Sequence, residues 1–170
     1  MIIRPEKPQD YEAVRRVNLL AFGQEDEARL VEALRRSDAF IPGLSLVAEE
    51  EGRIVGHILF TRIHIKSEIR SVEALALAPM CVLPEMQRRG IGSALVEIGL
   101  EQCAELGHRL VIVVGHPHFY PRFGFRPAAE SGIQAPFPVP SEAFMALALV
   151  PDALSWASGL VVYPPEFSGV

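Results

Sequence analysis

A strand, a glycine-containing turn and a helix follow one another in the middle of the chain, and this segment restricts the possible folds most strongly. The apolar residues 72–83 predict a strand, which leads through Pro84–Gly92 into a helix from about Ile91 to Leu106. Gly107 ends that helix, and Leu110–Val114 is typical of a buried strand. A strand, a helix and a second strand over this length predict a parallel crossover within one sheet.

The rest of the chain predicts further strands and two more helices around this crossover. Strands are expected over Ile2–Arg4, Leu44–Glu49, Ile54–Ile65, Phe125–Ala128 and Phe144–Leu149, and helices from Asp10 to about Phe22 and from about Asp26 to Arg36. Nine of the fourteen prolines lie in the last 54 residues, where they indicate turns. We find neither a repeat nor a linker, so residues 1–170 are expected to form a single α/β domain with a mixed sheet.

Composition and charge limit the partners of this domain. The chain carries 16 Lys and Arg against 21 Asp and Glu, which gives a net charge of −5 and no general attraction for nucleic acid or anionic membranes. Two cysteines cannot form a disulfide framework and suggest a reducing compartment. The first residues lack the layout of a signal peptide, and the apolar run Ala74–Leu83 is about half a membrane span. We therefore expect a cytoplasmic protein with neither a nucleic-acid nor a membrane partner.

The turn between the strand and the helix has the composition of a phosphate site. The first N–H groups of a helix have no partner within it, and the helix dipole adds partial positive charge. Gly90 and Gly92 lack the Cβ atoms that would keep a phosphate away, and Arg88 and Arg89 add two positive charges. An ordinary turn with two solvated arginines is the alternative, but the combination of strand, basic pair and helix favours anion binding.

Two common phosphate loops do not fit this turn. A nucleoside-triphosphate P-loop requires a lysine after its last glycine, and none follows Gly92. The dinucleotide motif G-x-G-x-x-G requires a third glycine, where this chain has Leu95.

Two motifs lie in and after this segment. One is Gln87-Arg88-Arg89-Gly90-Ile91-Gly92, with the pattern Q/R-x-x-G-x-G/A, and the other is Tyr120-Pro121-Arg122-Phe123-Gly124-Phe125, with the pattern Tyr-x-x-x-Gly-Phe. Both resemble motifs of the GCN5-related N-acetyltransferase (GNAT) family. The order of elements matches the family over nearly the whole chain, and residues 159–167 resemble its YhbS-like bacterial branch. The resemblance implies the GNAT fold, with a mixed, mostly antiparallel sheet of about six to seven strands flanked by helices.

The same resemblance implies acetyl-CoA as the acetyl donor. In such folds a bulge around Cys81 and Val82 splays the strand, main-chain groups there bind the pantetheine arm, and an N–H near Val82 faces the thioester oxygen. Amides of the turn hold the pyrophosphate, which implicates Gln87, Arg88, Arg89, Gly90, Ile91, Gly92 and Ser93. The acetyl group passes directly to a primary amine of a small molecule or peptide. The first two helices and the proline-rich part from about 128 to 170 are expected to close the acceptor side.

The resemblance also implies a catalytic tyrosine, and the sequence offers candidates for a base. Tyr120 is the candidate general acid for the departing thiolate, although Pro121 disfavours a helix running through it and is expected at the first position of a short turn. The candidates for a base are Glu73, His116, His57 and His64. Glu73 lies where the splayed strand begins and His116 at the end of the next strand, whereas the other two histidines lie in strand-like runs that favour structural roles. No base is needed if the amine arrives neutral.

Some of these residues have alternative interpretations. Met80 and Val82 surround Cys81 with apolar side chains, which favours a buried core thiol over a nucleophile. His116 and His118 have no further ligand at a suitable spacing, so no metal is expected. The alternatives to an enzyme are a non-catalytic acetyl-CoA sensor and an interaction protein with an incidental turn. Pairing of edge strands would permit a homodimer.

Overall fold

A nine-stranded sheet forms the centre of the protein, in a computed structural model that describes residues 1–169. The strands are β1 (Ile2–Pro5), β2 (Phe40–Glu50), β3 (Arg53–Lys66), β4 (Ser71–Val82), β5 (Leu110–Val114), β6 (Arg126–Pro127), β7 (Ile133–Gln134), β8 (Phe144–Ala148) and β9 (Gly159–Val162). The helices are α1 (Tyr11–Phe22), α2 (Asp26–Arg35) and α3 (Ile91–Glu105), and short 3₁₀ helices lie in several connections. No helix in this part of the chain is long and apolar enough to span a membrane.

The order of the strands confirms the predicted mixed, mostly antiparallel sheet. The main path is β1-β2-β3-β4-β5-β8-β6, and β9 pairs with both β3 and β7. β4 and β5 are parallel, with Leu75 opposite Val111 and Leu77 opposite Val113, and α3 connects them. The neighbours along the rest of the main path are antiparallel. The predicted crossover around α3 is therefore present.

Helices cover both faces of the sheet. On one face α3 buries Leu95 in the same apolar core as Phe60 of β3. On the other face α2 buries Leu34 with Leu59, the adjacent residue of β3. Ile65 points to this second face as well, because side chains alternate along a strand, and there it is buried under the C-terminal segments. Each such fully buried side chain contributes about 1.5–3 kcal/mol to the free energy of folding.

The sheet has two strands that were not predicted, β7 and β9. β7 has two residues and β9 has four, so neither shows an alternating pattern long enough to predict a strand. Their positions depend on distant partners, since Leu160 lies opposite Lys66 at the end of β3 and Ile133 lies opposite Gly159. These strands bring the C-terminal part of the chain against the central sheet.

Candidate active site

The sheet opens between β4 and β5. Their parallel pairing ends at Leu77 opposite Val113, and β4 then carries a bulge in which Ala78 and Pro79 oppose the single residue Leu59 of β3. Proline has no N–H to donate to a neighbouring strand, so it fits a bulge and interrupts a ladder. Beyond this bulge the two strands are no longer paired, and the side of β4 that faced β5 becomes free.

The predicted bulge around Cys81 and Val82 was placed too late in the strand, because both residues still pair with β3. The N–H of Leu83 donates to the C=O of Val55 at 2.8 Å. Since hydrogen-bonded pairs alternate along an antiparallel ladder, His57 and Cys81 form the next such pair. The N–H of Val82 therefore points away from β3 and into the opening.

The turn after β4 presents a row of free amides. The N–H groups of residues 88–93 have no hydrogen-bond acceptor within residues 1–169, because they precede or begin α3. Gly90 has a φ of +82°, and a Cβ placed there would meet no atom within 4 Å, so the space in front of the turn is open. Nε2 of Gln87 donates to the C=O of Val82 at 3.2 Å and ties the turn to the strand. Such a row of N–H groups at a helix N-terminus fits the oxygens of a phosphate.

One cavity of about 1490 Å³ connects the free amides with the opening in the sheet. It continues to α1, α2 and the C-terminal segment, where Phe22, Phe137 and Tyr163 contribute to its walls. The predicted site residues that line it are Cys81, Val82, Gln87, Arg88, Gly90, Ile91, Gly92, Ser93, His116 and Tyr120. Glu73 and Arg89 do not line it.

A family model described as an acetyltransferase (GNAT) domain matches residues 2–128, which is most of the chain. The chain belongs to the GCN5-related N-acetyltransferase family. Two Escherichia coli proteins, both named uncharacterized N-acetyltransferases, are similar to this GNAT chain. YjhQ is 44% identical over 134 residues, which cover 78% of this chain and 74% of YjhQ. YhbS is 33% identical over 169 residues, which cover 99% of each chain.

Solved GNAT structures resemble the whole chain. The crystal structure of Escherichia coli YhbS in complex with CoA matches with a TM-score of 0.89 at 30% identity, covering 98% of this chain and 91% of that one. A GNAT family acetyltransferase from Brucella melitensis, in complex with acetyl-CoA, matches with a TM-score of 0.79 at 34% identity, covering 98% and 97%. This chain is accordingly an acyltransferase with the GNAT fold.

Tyr120 of this GNAT chain lies where the cavity meets the end of β5. It begins a 3₁₀ helix over Tyr120–Phe123, so Pro121 takes the second position of this turn and not the predicted first. The Tyr120 side chain packs edge-on against Phe119 and Phe125, with ring centroids 4.9 and 5.7 Å away. Burial raises the pKa of Tyr120 to about 12. Its hydroxyl makes no hydrogen bond to the described part of the chain, which leaves it free for a ligand in the cavity.

The two first candidates for a base lie in different surroundings. His116 is exposed at the rim of the cavity, and its C=O accepts hydrogen bonds from the N–H groups of Phe119 and Tyr120 at 3.1 and 3.3 Å. Glu73 lies opposite His64 near the start of β4, outside the cavity, with Nε of Arg62 3.6 Å from its Oε1. The structure thus brings His116, and not Glu73, together with Tyr120.

His57 and Cys81 are buried side chains with structural surroundings. Nδ1 of His57 lies 3.2 Å from Nδ2 of Asn18, and its Nε2 lies 2.9 Å from Oγ of Ser45. Burial, with a smaller effect of the Arg35 charge, lowers the pKa of His57 to about 3, so its imidazole is neutral. Burial also raises the pKa of Cys81 to about 12, which keeps the thiol protonated and a poor nucleophile.

Two charged residues of the cavity were not predicted from the sequence. Nη2 of Arg122 lies 3.4 Å from Oγ of Ser93, so this arginine adds a second cation beside Arg88 near the free amides. Arg122 belongs to the second GNAT motif, so its charge could have been used to predict a second cation near the phosphate site. Glu27, in the first turn of α2, also lines the cavity. Nothing in the local sequence distinguishes it from the other acidic residues around it.

Proposed function

We propose that this chain is an acetyl-CoA-dependent N-acetyltransferase that moves the acetyl group directly from the thioester to a primary amine. The observation that carries this proposal is the continuity of the cavity, which joins a row of free amides to an open strand edge at Val82. The similar structures from Escherichia coli and Brucella melitensis, in complex with CoA and acetyl-CoA, support the choice of donor.

The turn and β4 would share the binding of acetyl-CoA. Amides between Gln87 and Ser93 would hold the pyrophosphate, with the guanidinium groups of Arg88 and Arg122 beside them. Arg89 is exposed outside the cavity and would add only long-range attraction. The pantetheine arm would run along the free edge of β4 at Cys81 and Val82, where it could pair with main-chain groups as a strand does.

The opening would also hold the reacting groups. The N–H of Val82 would face the thioester oxygen, where negative charge develops as the amine attacks. A preorganised donor of this kind contributes about 3 kcal/mol in enzymes where it has been removed. Tyr120, whose pKa of about 12 keeps it protonated at neutral pH, would donate to the sulfur as the C–S bond breaks. His116, exposed at the rim, is the better placed base for the amine.

Calorimetric titration with acetyl-CoA tests the donor site, with ATP as a control ligand. We expect saturable one-to-one binding of acetyl-CoA and no binding of ATP. Gly92→Glu places a carboxylate in the first turn of α3, where the Cβ makes only an ordinary contact of 3.5 Å with Met80. A glutamate there improves helix propensity by up to about 1 kcal/mol and suits the helix dipole, so the protein should fold while its binding of acetyl-CoA is lost.

Ala104→Glu is the matched control, because it adds the same charge to an exposed position near the other end of α3. It should bind acetyl-CoA as the wild type does. If Gly92→Glu and Ala104→Glu bound acetyl-CoA equally well, the amides of the turn would not be part of the donor site. Binding of acetyl-CoA without transfer to any amine would indicate a sensor in place of an enzyme.

A further inference from the structure

The cavity is lined by side chains of both charges. Arg88 and Arg122 are its arginines, beside the turn that begins α3. Glu27, on α2, is the only carboxylate side chain that lines the cavity within residues 1–168. Because α2 packs on the opposite face of the sheet from α3, Glu27 is not part of the turn proposed to receive the pyrophosphate and is available to the acceptor.

Among the described residues Glu27 has no basic partner, in contrast to Glu25 and Glu32 on either side of it. Glu25 is paired with Arg15 and Arg29, and Glu32 is paired with Arg15. Glu27 makes no ion pair within the described chain, and its hydrogen-bond donor is Nε2 of Gln24, which lies 3.0 and 3.2 Å from its two oxygens. A carboxylate at the edge of a cavity that is oriented but not neutralised is suited to bind a cation.

The cavity that Glu27 lines has several apolar and aromatic side chains in its walls. Phe22, Phe137, Leu160 and Val162 are large apolar side chains that are 38–43% exposed and line the cavity. Phe137, Tyr163 and Phe167 form a row of aromatic rings whose neighbouring centroids are 5.8 and 5.0 Å apart, and the last ring belongs to a segment that contacts α2. Exposed apolar side chains concentrated in one cavity indicate a ligand with an apolar body.

We infer that Glu27 binds the ammonium group of the acceptor, and that the acceptor is a primary amine carried on an apolar or aromatic body without a nearby carboxylate. This inference rests on the proposed acetyl transfer and specifies its second substrate. Glu27 would hold the ammonium beside the opening in the sheet, and the aromatic row would bind the rest of the molecule. Consistent with this location, the Glu27 charge acts on the pKa of Cys81, adding a small increase to the larger effect of burial.

The test uses the protein saturated with CoA and two probes of similar shape and opposite charge. Calorimetry should detect binding of 2-phenylethylamine and none of 3-phenylpropionate at the same concentration. In Glu27→Gln the affinity for 2-phenylethylamine should fall about tenfold or more, because a charge-assisted contact is lost. Glu101→Gln, an exposed position on α3, is the matched control and should bind the amine as the wild type does.

A second measurement separates this inference from the proposed function. The affinity for acetyl-CoA should be the same in Glu27→Gln and in the wild type, since Glu27 belongs to α2 and not to the turn or the strand edge proposed to bind acetyl-CoA. Failure of the wild type to bind acetyl-CoA would refute the proposed function itself. Equal binding of the two probes, no binding of the amine, or an unchanged amine affinity in Glu27→Gln would refute the role of Glu27 alone.

Discussion

Replacing Tyr120 with phenylalanine removes the hydroxyl and keeps the ring. The ring packs against Phe119 and Phe125, so the variant retains those aromatic contacts. The hydroxyl donates to no group of the described chain, and the free energy of unfolding should therefore change by less than about 0.5 kcal/mol. Loss of a general acid costs about a hundredfold or more in kcat, and that is the decrease we expect with acetyl-CoA and any accepted amine.

The pH dependence of this variant adds a second check. Burial raises the pKa of Tyr120 to about 12, so the wild-type phenol stays protonated in assays at neutral and mildly alkaline pH. Any change of the wild-type rate at alkaline pH should then come from a group other than Tyr120. The pH–rate profile should therefore have the same shape in Tyr120→Phe as in the wild type. Tyr11→Phe, on α1 beside Arg35 and outside the cavity, controls for the loss of a phenol. A Tyr120→Phe enzyme with kcat close to that of wild type would refute the assignment.

Two further perturbations test the packing beside the site and the buried histidine. Gly115→Ala would put a Cβ closer to Cε2 of Tyr120 than van der Waals contact allows, so the ring must move. We expect the free energy of unfolding in urea to fall by about 1–3 kcal/mol and kcat to decrease, and unchanged values of both would contradict the close packing of the ring on Gly115. The pKa of His57 is lowered from 6.5 to about 3, mainly by burial, so below pH 6.5 the unfolded chain binds a proton that the folded chain does not. The free energy of unfolding should consequently decrease as the pH falls from 6.5 towards 3, by about 2 kcal/mol at pH 5. Urea denaturation at pH 7.5 and at pH 5 measures this decrease, which should be smaller in His57→Gln than in the wild type.

The helices and long strands could be predicted because their patterns are local. α3 was expected from Ile91 to Leu106 and ends at Glu105, since Gly90 and Gly107 mark its limits. Residues 54–65 were expected as a strand, and β3 extends over Arg53–Lys66. β7 and β9 could not be predicted in this way, because two and four residues carry too little pattern and their pairing depends on the distant end of β3.

Some parts of the candidate site could likewise be predicted from local sequence, and others depend on contacts between distant residues. The row of free amides follows from a strand, two glycines and a helix in sequence, and all of these are local features. Glu27 lines the cavity together with residues of the C-terminal segment, which packs near α2 although the two are far apart in the chain. The opening in the sheet could be predicted in part. Pro79 lies within an apolar strand of the sequence, and proline is disfavoured in a central strand.

Val82 connects the local and the distant parts of the site. Its N–H and C=O both point away from β3, because the hydrogen-bonded pairs of that ladder fall on the residues at either side of it. The N–H is left for a ligand in the opening, and the C=O accepts from Nε2 of Gln87 at 3.2 Å. One peptide register therefore sets both the amide proposed to face the thioester and the position of the turn proposed to hold the pyrophosphate. A change of one residue in the bulge at Ala78 and Pro79 would reverse this register and turn both groups towards β3.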